Sequence, residues 1–398
     1  MKRRAVLGID TSNYKTSAAL TAEDGTILCD RRRFLDVPEN ERGLRQQNAL
    51  FQHVVHLPEL LEQIFREAAV EPSQLLAVSV STRPRPVEGS YMPVFLAGEG
   101  AARSIAAALQ VPLIRVSHQE GHIRAAAAGC GLDRLPERMI SFHFSGGTTE
   151  AVLIDQTKKN RQDPSWYRKV GGTEDLAAGQ VLDRIGVQMG FPFPCGQYLD
   201  QIAMKADAQD IPQTELFRLS SVRCRDGYVN FSGLETDCRR RMDRVMNMDI
   251  AELRRAAGGN SENMKNAAGS EYPDGPLAEL FLSSEIRGAE RQKAAAALTV
   301  LLMQRITRAA ARMTCDLAEI YGVRDFLLAG GVASSAYMRT HFQKELKRAV
   351  EKRRGARWHE RDYRVRFGSP ELSSDNAVGV ALLGLDTVTG RDSVKKGK

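Results

Sequence analysis

Apolar and polar positions along the chain switch period in a regular order. The apolar run "AVLGID" (5–10) meets a polar turn in "TSNYKTSAALTA" (11–22) and is followed by "TILCDRRRF" (26–34), which reads as strand, turn, strand, strand. Helical spacing then takes over in "NALFQHVVHLPELLEQIFREAA" (48–69), where Pro58 is expected to interrupt or bend the helix. Next come a strand "LLAVSVST" (75–82), a helix "FLAGEGAARSIAAALQ" (95–110), a strand "PLIRVS" (112–117) and an alanine-rich helix opened by "VSHQEGHIRAA" (116–126).

The same order then returns. "MISFHF" (139–144) meets the turn "SGGTTE", strands "AVLID" and "WYRKVGG" follow, and after an irregular stretch a long helix covers 291–322. Strand "DFLLAGG" (325–331), a helix from Ser335, strand "YRVRFGS" (363–369) and a last helix from Ser374 complete the second half. Two such halves predict an α/β chain of two lobes, each on a mixed sheet, with an interlobe cleft. The expected division is 1–138 for the amino-terminal lobe and 139–374 for the carboxy-terminal lobe, with an insertion near 247–291. Residues 375–398 form a final helix and tail packing toward the amino-terminal lobe, the tail "RDSVKKGK" reading as disordered.

Composition narrows this picture. At 398 residues and 42% hydrophobic content, two compact lobes are the natural expectation. No apolar run approaches the ~20 residues that span a bilayer, and the first residues lack a signal-peptide pattern, so a cytoplasmic protein without a membrane partner is expected. Six scattered cysteines with no CxxC pair fit reduced thiols. The net charge of +7 favours an anionic partner, nucleic acid first. The basic stretches "CRRRMDRVM" and "KELKRAVEKRRGARWHERDYRVRF" read first as solvated helix faces and a flexible loop, with an RNA-steering surface as the sharper alternative.

Candidate chemistry begins with His118 and His122, neighbours on one helical face at i and i+4. If the halves are related by a pseudo-two-fold, Asp375, at the start of the last helix, corresponds to His118 and meets the histidines across the cleft. Two imidazoles and a carboxylate make a site for one divalent ion, zinc or ferrous iron, with positions left open. The turn after His143 and Phe144 offers Ser145, Gly146 and Gly147, with Thr148 and Thr149, as a cradle for phosphate oxygens. Thr11, Ser12 and Lys15 in the partner turn, and the glycines of "LLAGGVASS", add to the expectation of an adenine-nucleotide site.

Two rival enzymes fit less well. Zinc peptidases with HExxH place glutamate directly after the first histidine, where this chain has Gln119; Glu120 sits one residue later. Gly121 costs a helix interior roughly 1 kcal/mol against alanine, which the close approach of a substrate or backbone would explain. A kinase would use Asp10 at the end of the first strand, but would leave the histidine pair without a role. His53 and His56 read as structural.

These residues together resemble the TsaD family, the tRNA threonylcarbamoyladenosine transferases formerly described as O-sialoglycoprotein endopeptidases. The family's HxEGH stands here as "HQEGH", its late aspartate as Asp375 in "SSDNA", and its VSGGxT as "FSGGTT". Its DDAAGEAFDK segment stands as "EDLAAGQVLDR", its YPGG segment as "FPCGQYLD", its FSGLKT as "FSGLETD" and its AGGVAAN as "AGGVASS". The resemblance implies a duplicated actin-like, hexokinase-like and Hsp70-like (ribonuclease H-like) fold. It also implies metal-dependent acyl transfer from threonylcarbamoyl-AMP to N6 of the adenosine beside the anticodon in tRNA. Asp183, Gly196, Asp200 and Ser335 are then substrate or nucleotide contacts, with threonylcarbamoyl-AMP or ATP as the ligand. The implied partners are tRNA, a paralogous dimerising subunit and a small ATPase.

The chain also departs from the family. DTSCDET becomes "DTSNYKT", putting Tyr14 and Lys15 at acidic positions, and a GPGL loop becomes "RPRPVEGS" (83–90). The departures support an alternative, a divergent paralogue that binds nucleotide and metal as a regulatory subunit without transferase activity.

Overall fold

The structure, a computed structural model, describes residues 3–12, 14–37, 44–159, 163–206, 211–257, 279–353, 358–373 and 375–390. Of the expected insertion, residues 258–278 lie outside this set, as does the tail 391–398. In chain order, the elements begin with β1 (Ala5–Thr11), β2 (Lys15–Ala22), β3 (Ile27–Phe34), α1 (Gln46–Ala68), β4 (Leu75–Arg83), α2 (Phe95–Leu109), β5 (Leu113–Ser117) and α3 (His118–Gly129). They continue with β6 (Arg138–Phe144), β7 (Thr149–Asp155), the single turn α4 (Gln156–Lys159), β8 (Tyr167–Thr173), α5 (Ala178–Gln188) and α6 (Gly196–Lys205). Next are β9 (Cys224–Arg225), β10 (Tyr228–Val229), α7 (Ser232–Asn247), α8 (Ile250–Ala256) and α9 (Ala289–Tyr321). The last are β11 (Asp325–Ala329), α10 (Ala336–Glu351), β12 (Arg364–Phe367) and α11 (Val378–Val388).

Two sheets carry these elements. The first has the order β3-β2-β1-β4-β5; the second has β12-β11-β6-β7-β8 extended outward by β10 and β9. Read from its third strand inward, the second sheet (β8-β7-β6-β11-β12) repeats the order of the first. The chain therefore carries the ribonuclease H-like unit twice, the duplicated actin-like and hexokinase-like α/β fold. By contact density it divides into one unit of Met1–Ser141, Leu153–Arg168 and Arg366–Lys398, and another of Phe142–Val152 and Lys169–Val365.

In the first unit the alternation of β1 decides both faces of the sheet. Leu7 and Ile9 join Leu20, Val78 and Val80 in a core closed by Leu57 and Ile64 of α1 and Ala102 and Ala106 of α2. Val6 faces the other way, onto Val378, Leu382 and Leu385 of α11. Helix α11 lies very close to its neighbours because the contacts are backbone on backbone. A Cβ on Gly8 would stand 2.5 Å from the Ala377 carbonyl oxygen, and one on Gly379 would collide with the carbonyl of Gly121 in α3. The close approach inferred for Gly121 is thus that of α11. Across the same junction Arg124 Nε donates to Asp386 Oδ2 at 2.7 Å, and its remaining N–H groups reach the Leu132 and Asp133 carbonyls.

Two local expectations change. Helix α1 runs unbroken through Pro58. The carbonyl that loses its donor belongs to exposed Val54, where water can solvate it. The last helix begins at Val378 rather than Ser374, so Asp375 sits in the approach to the helix and not in its first turn.

In the second unit α9 is the central helix, against which α6, α7, α8 and α10 pack. The sheet contributes a stacked aromatic layer of Phe142, Phe144 and Phe326.

Both members of the Arg124–Asp386 pair are almost completely buried. Asp386→Ala leaves a guanidinium uncompensated and is expected to lower the unfolding free energy by about 3–5 kcal/mol. Chemical denaturation of the single variant, and of an Arg124→Met, Asp386→Leu double variant that recovers most of the loss, checks this.

Candidate metal centre and nucleotide pocket

The three predicted metal ligands meet within the first unit. Strand β1 ends at Asp10 and Thr11, the parallel strand β4 ends beside it, and β5 runs directly into α3. Ser117 caps α3 through its hydroxyl, with the backbone N–H of Glu120 donating to it. His118 is therefore the first residue of the helix and His122 stands one turn on. Their Nε2 atoms lie 2.9 Å apart, and Asp375 Oδ1 lies 3.0 Å from His122 Nε2 and 3.7 Å from His118 Nε2. Asp375 reaches the histidines from the segment before α11, inside the same unit rather than across a cleft.

The second ring nitrogen of His118 decides the chemistry of the first. His118 Nδ1 is 3.1 Å from both oxygens of Asp10, whose side chain is fully buried. Asp10 also accepts from the hydroxyls of Ser12 (2.9 Å) and Ser81. Supported this way the carboxylate stays ionised: burial acts against its charge, and His118 and Ser81 draw its pKa below the usual value. An ionised carboxylate only accepts, so His118 donates from Nδ1, and Nε2 is the nitrogen whose proton a cation would replace. Burial works against an imidazolium at His118, but Asp10 and then Asp375 outweigh it and push the pKa up to about 9. Burial likewise opposes charge on Asp375, yet the His122 contact and the charges of both histidines and Lys15 hold it well below the carboxylate range.

Three potential ligand atoms thus converge, all within 4.8 Å of one another, with a proton at His118 Nε2 until a cation displaces it. Such a cluster of acceptors needs a proton or a cation at its centre. Tetrahedral zinc bonds of about 2.0–2.1 Å imply ligand separations of roughly 3.3 Å, and the three observed separations of 2.9, 3.0 and 3.7 Å bracket that value. The donor set fits one divalent ion.

Glu120 has no part in this. Its carboxylate accepts from the backbone N–H and hydroxyl of Ser117, and Lys159 donates to its other oxygen at 3.1 Å. A glutamate held as a helix cap cannot serve as the base of a metallopeptidase. His53 and His56 are both buried. Burial depresses the pKa of His53, whose Nε2–H donates to the Ser12 carbonyl while Nδ1 accepts from Thr16 at 2.9 Å; it thereby braces the turn beside Asp10.

Of the residues predicted for the nucleotide, Thr11, Ser12 and Lys15 belong to the first unit, and those from His143 to Ser335 belong to the second. A cavity of about 370 Å³ is lined by Gly146, Asp183, Gly196, Asp200 and Ser335, together with Pro194, Gly331 and Val332 among others. Its size suits a small ligand. Gly146 and Gly147 are exposed at the tip of the turn between β6 and β7, and Ser145 Oγ accepts from the Thr148 N–H at 3.2 Å. Gly179 at the start of α5 lies so close to this turn that a Cβ there would stand 2.5 Å from the Ser145 carbonyl oxygen.

Within the cavity wall the carboxylates differ. One oxygen of Asp200 accepts from the Ser335 hydroxyl (2.6 Å) and the Tyr337 N–H (2.9 Å), and the other from the Ala336 N–H (2.8 Å). It therefore caps α10 as well as facing the cavity. Asp183 accepts the Cys195 N–H through one oxygen only, and burial raises its pKa. His143 is partly buried on β6. The Phe144 side chain is core, and its carbonyl accepts from the Val332 N–H.

Asp10, by sequence a candidate kinase carboxylate, is in the structure the partner of His118. Its position at the end of the first strand, where strand order reverses, was the available signal. Ser81 carried none.

A family model described as tRNA N6-adenosine threonylcarbamoyltransferase matches residues 38–378. A curated relative of that name from Methanopyrus kandleri is 31% identical over 240 residues, 60% of this chain and 62% of that protein. One from Chlamydia trachomatis is 25% identical over 390 residues, 98% of this chain and 95% of that protein. Among solved structures, the ROK hexokinase from Thermus thermophilus is similar at 16% identity and a TM-score of 0.43, covering 98% of this chain and 100% of that one.

Two measurements separate ligand from support. Asp375→Ala is expected to abolish zinc or iron binding while the fold persists, and Asp10→Ala to weaken it about 10–100-fold, read by metal analysis and competition with a chelator. Asp200→Ala removes the cap of α10 and should cost about 1–2 kcal/mol of stability, measured by denaturation in the absence of nucleotide.

Proposed function

The chain belongs to the TsaD family of tRNA N6-adenosine threonylcarbamoyltransferases, and on that premise we propose that it catalyses the family's transfer in the cytoplasm. In this reading the threonylcarbamoyl group passes from threonylcarbamoyl-AMP to N6 of the adenosine next to the anticodon in tRNA. The observation that carries the reading is the convergence of His118, His122 and Asp375 on one point, with Asp10 behind His118. A fold of this class used as a kinase has no need of that cluster.

A divalent ion at this centre, Zn2+ or Fe2+, would supply Lewis acidity and a template for the acyl group. The remaining work falls to the chain. Asp10 holds the His118 proton at Nδ1 and keeps Nε2 available. Ser145, Gly146 and Gly147 present hydroxyl and backbone N–H groups suited to phosphate oxygens, and Asp183 offers its second oxygen to a ligand hydroxyl. The N6 amine of adenine is a weak nucleophile, so orientation and exclusion of water contribute more than a general base. A mixed anhydride already provides AMP as the leaving group.

Family partners enter the same proposal: a paralogous dimerising subunit, a small ATPase and tRNA itself, the last in keeping with the net charge of +7. One observation favours the regulatory alternative. Lys15 stands where the family carries an acid, and its charge acts on Asp375.

Reconstitution decides between them. The chain is combined with tRNA, threonylcarbamoyl-AMP, ATP and the partner proteins of a related organism, and tRNA nucleosides are analysed by mass spectrometry. Threonylcarbamoyladenosine should accumulate with wild type and fall at least 100-fold with Asp375→Ala. Unmodified adenosine from wild type that still binds nucleotide would establish the regulatory reading.

A further inference from the structure

The ends of five strands define the surroundings of the histidine–aspartate cluster. Strands β1, β4 and β5 are parallel and finish at one edge of the first sheet. The antiparallel β2 starts at that same edge, with Lys15 opposite Phe34 at the end of β3. In the β4–β5 register Arg83 pairs with Ser117, the residue before His118. The Gln119 N–H donates to the Pro84 carbonyl at 3.0 Å, which ties the segment carrying Arg83 and Arg85 to the first turn of α3. Cationic residues therefore stand on both flanks of the cluster, Lys15 on the β2 side and Arg83 and Arg85 on the β4 side.

The acids nearby are already engaged. Asp10 is committed to His118, Ser12 and Ser81, and Asp30 pairs with Arg32. Among the described residues no carboxylate lies within ion-pair distance of Lys15 or Arg83. Lys15 Nζ instead lies 4.6 Å above the Phe34 ring, a contact that orients an ammonium without neutralising it. Arg83 and Arg85 are exposed. With a divalent cation bound, two positive charges meet the two negative charges of Asp10 and Asp375. Lys15 and Arg83 then leave the site positive, a field that concentrates and holds an anion.

We propose that Lys15 and Arg83 form an anion-recognition rim of the His118–His122–Asp375 centre, so that the molecule held there carries a carboxylate or phosphate gripped beside the metal. The choice of probe rests on the transferase reading; the rim does not. Burial draws the Lys15 pKa down and Asp375 opposes this, in keeping with an ammonium placed where an anion would relieve its desolvation.

Titration calorimetry on the zinc-loaded full-length chain tests the rim with two probes, N-carbamoyl-L-threonine for a carboxylate and inorganic phosphate. Lys15→Met and Arg83→Met should each weaken the recognised anion about tenfold, with Lys15→Arg restoring most of the affinity. Dependence confined to carbamoyl-threonine, together with poor binding of its methyl ester, assigns a carboxylate; dependence confined to phosphate assigns a phosphate. Zinc affinity gives a second readout: Lys15→Met removes a positive charge that repels the zinc and competes with it for Asp375, and should tighten zinc several-fold, which a merely structural lysine would not do. The rim is overturned if wild type binds neither anion at millimolar concentration, or if affinities for both stay within twofold in the Lys15→Met, Arg83→Met double variant with a wild-type melting curve. Modified tRNA with unchanged anion binding sinks the rim and leaves the transferase standing; the reverse outcome sinks the transferase alone.

Discussion

The convergence of His118, His122 and Asp375 depends on how closely α11 can approach α3. Asp375 lies more than two hundred residues from the histidines in sequence, and only the packing of α11 brings it to them. Gly121 and Gly379 let the two helix backbones touch, and Gly8 lets α11 settle on β1. A side chain at any of these positions would push the helix outward by more than the few tenths of an ångström that a coordination site tolerates. The buried Arg124–Asp386 pair then fixes the rotation of one helix against the other, because a bidentate guanidinium contact has one good geometry. The geometry of the cluster and the packing of the core are the same problem here.

The centre also illustrates how support precedes chemistry. Asp10 stands behind the cluster, yet it fixes a proton on Nδ1 of His118. Ser12, Ser81 and, at one remove, His53 and Thr16 keep that carboxylate charged and still. The same end of β1 would carry a phosphate-transfer carboxylate in a kinase reading. In this chain the neighbouring histidine has taken over its hydrogen bonds and altered its use.

In the second unit a single cavity gathers residues from the glycine turn, α5, α6 and the start of α10. Its wall is built from helix starts and a hairpin, which leave backbone donors available at the surface. Asp200 shows that lining a pocket and serving a ligand are different roles, since three donors of α10 already occupy its oxygens. Asp183 retains an uncommitted oxygen and is the better placed of the two for recognition.

Much of this was written in local patterns. Period-two runs and helical periods revealed two α/β halves, because the alternation of each strand must match the faces it buries. The i, i+4 spacing put His118 and His122 on one face, since helix geometry alone ensures it. The motif order carried the family, and glycines marked the turn between β6 and β7. Local pattern could not show that Asp375 approaches from within the same unit, that Pro58 leaves α1 intact, or that Asp10 is the histidine's partner. Those facts arise from contacts between segments far apart in sequence, and their energies depend on burial and backbone distance. Only the packed tertiary structure supplies both.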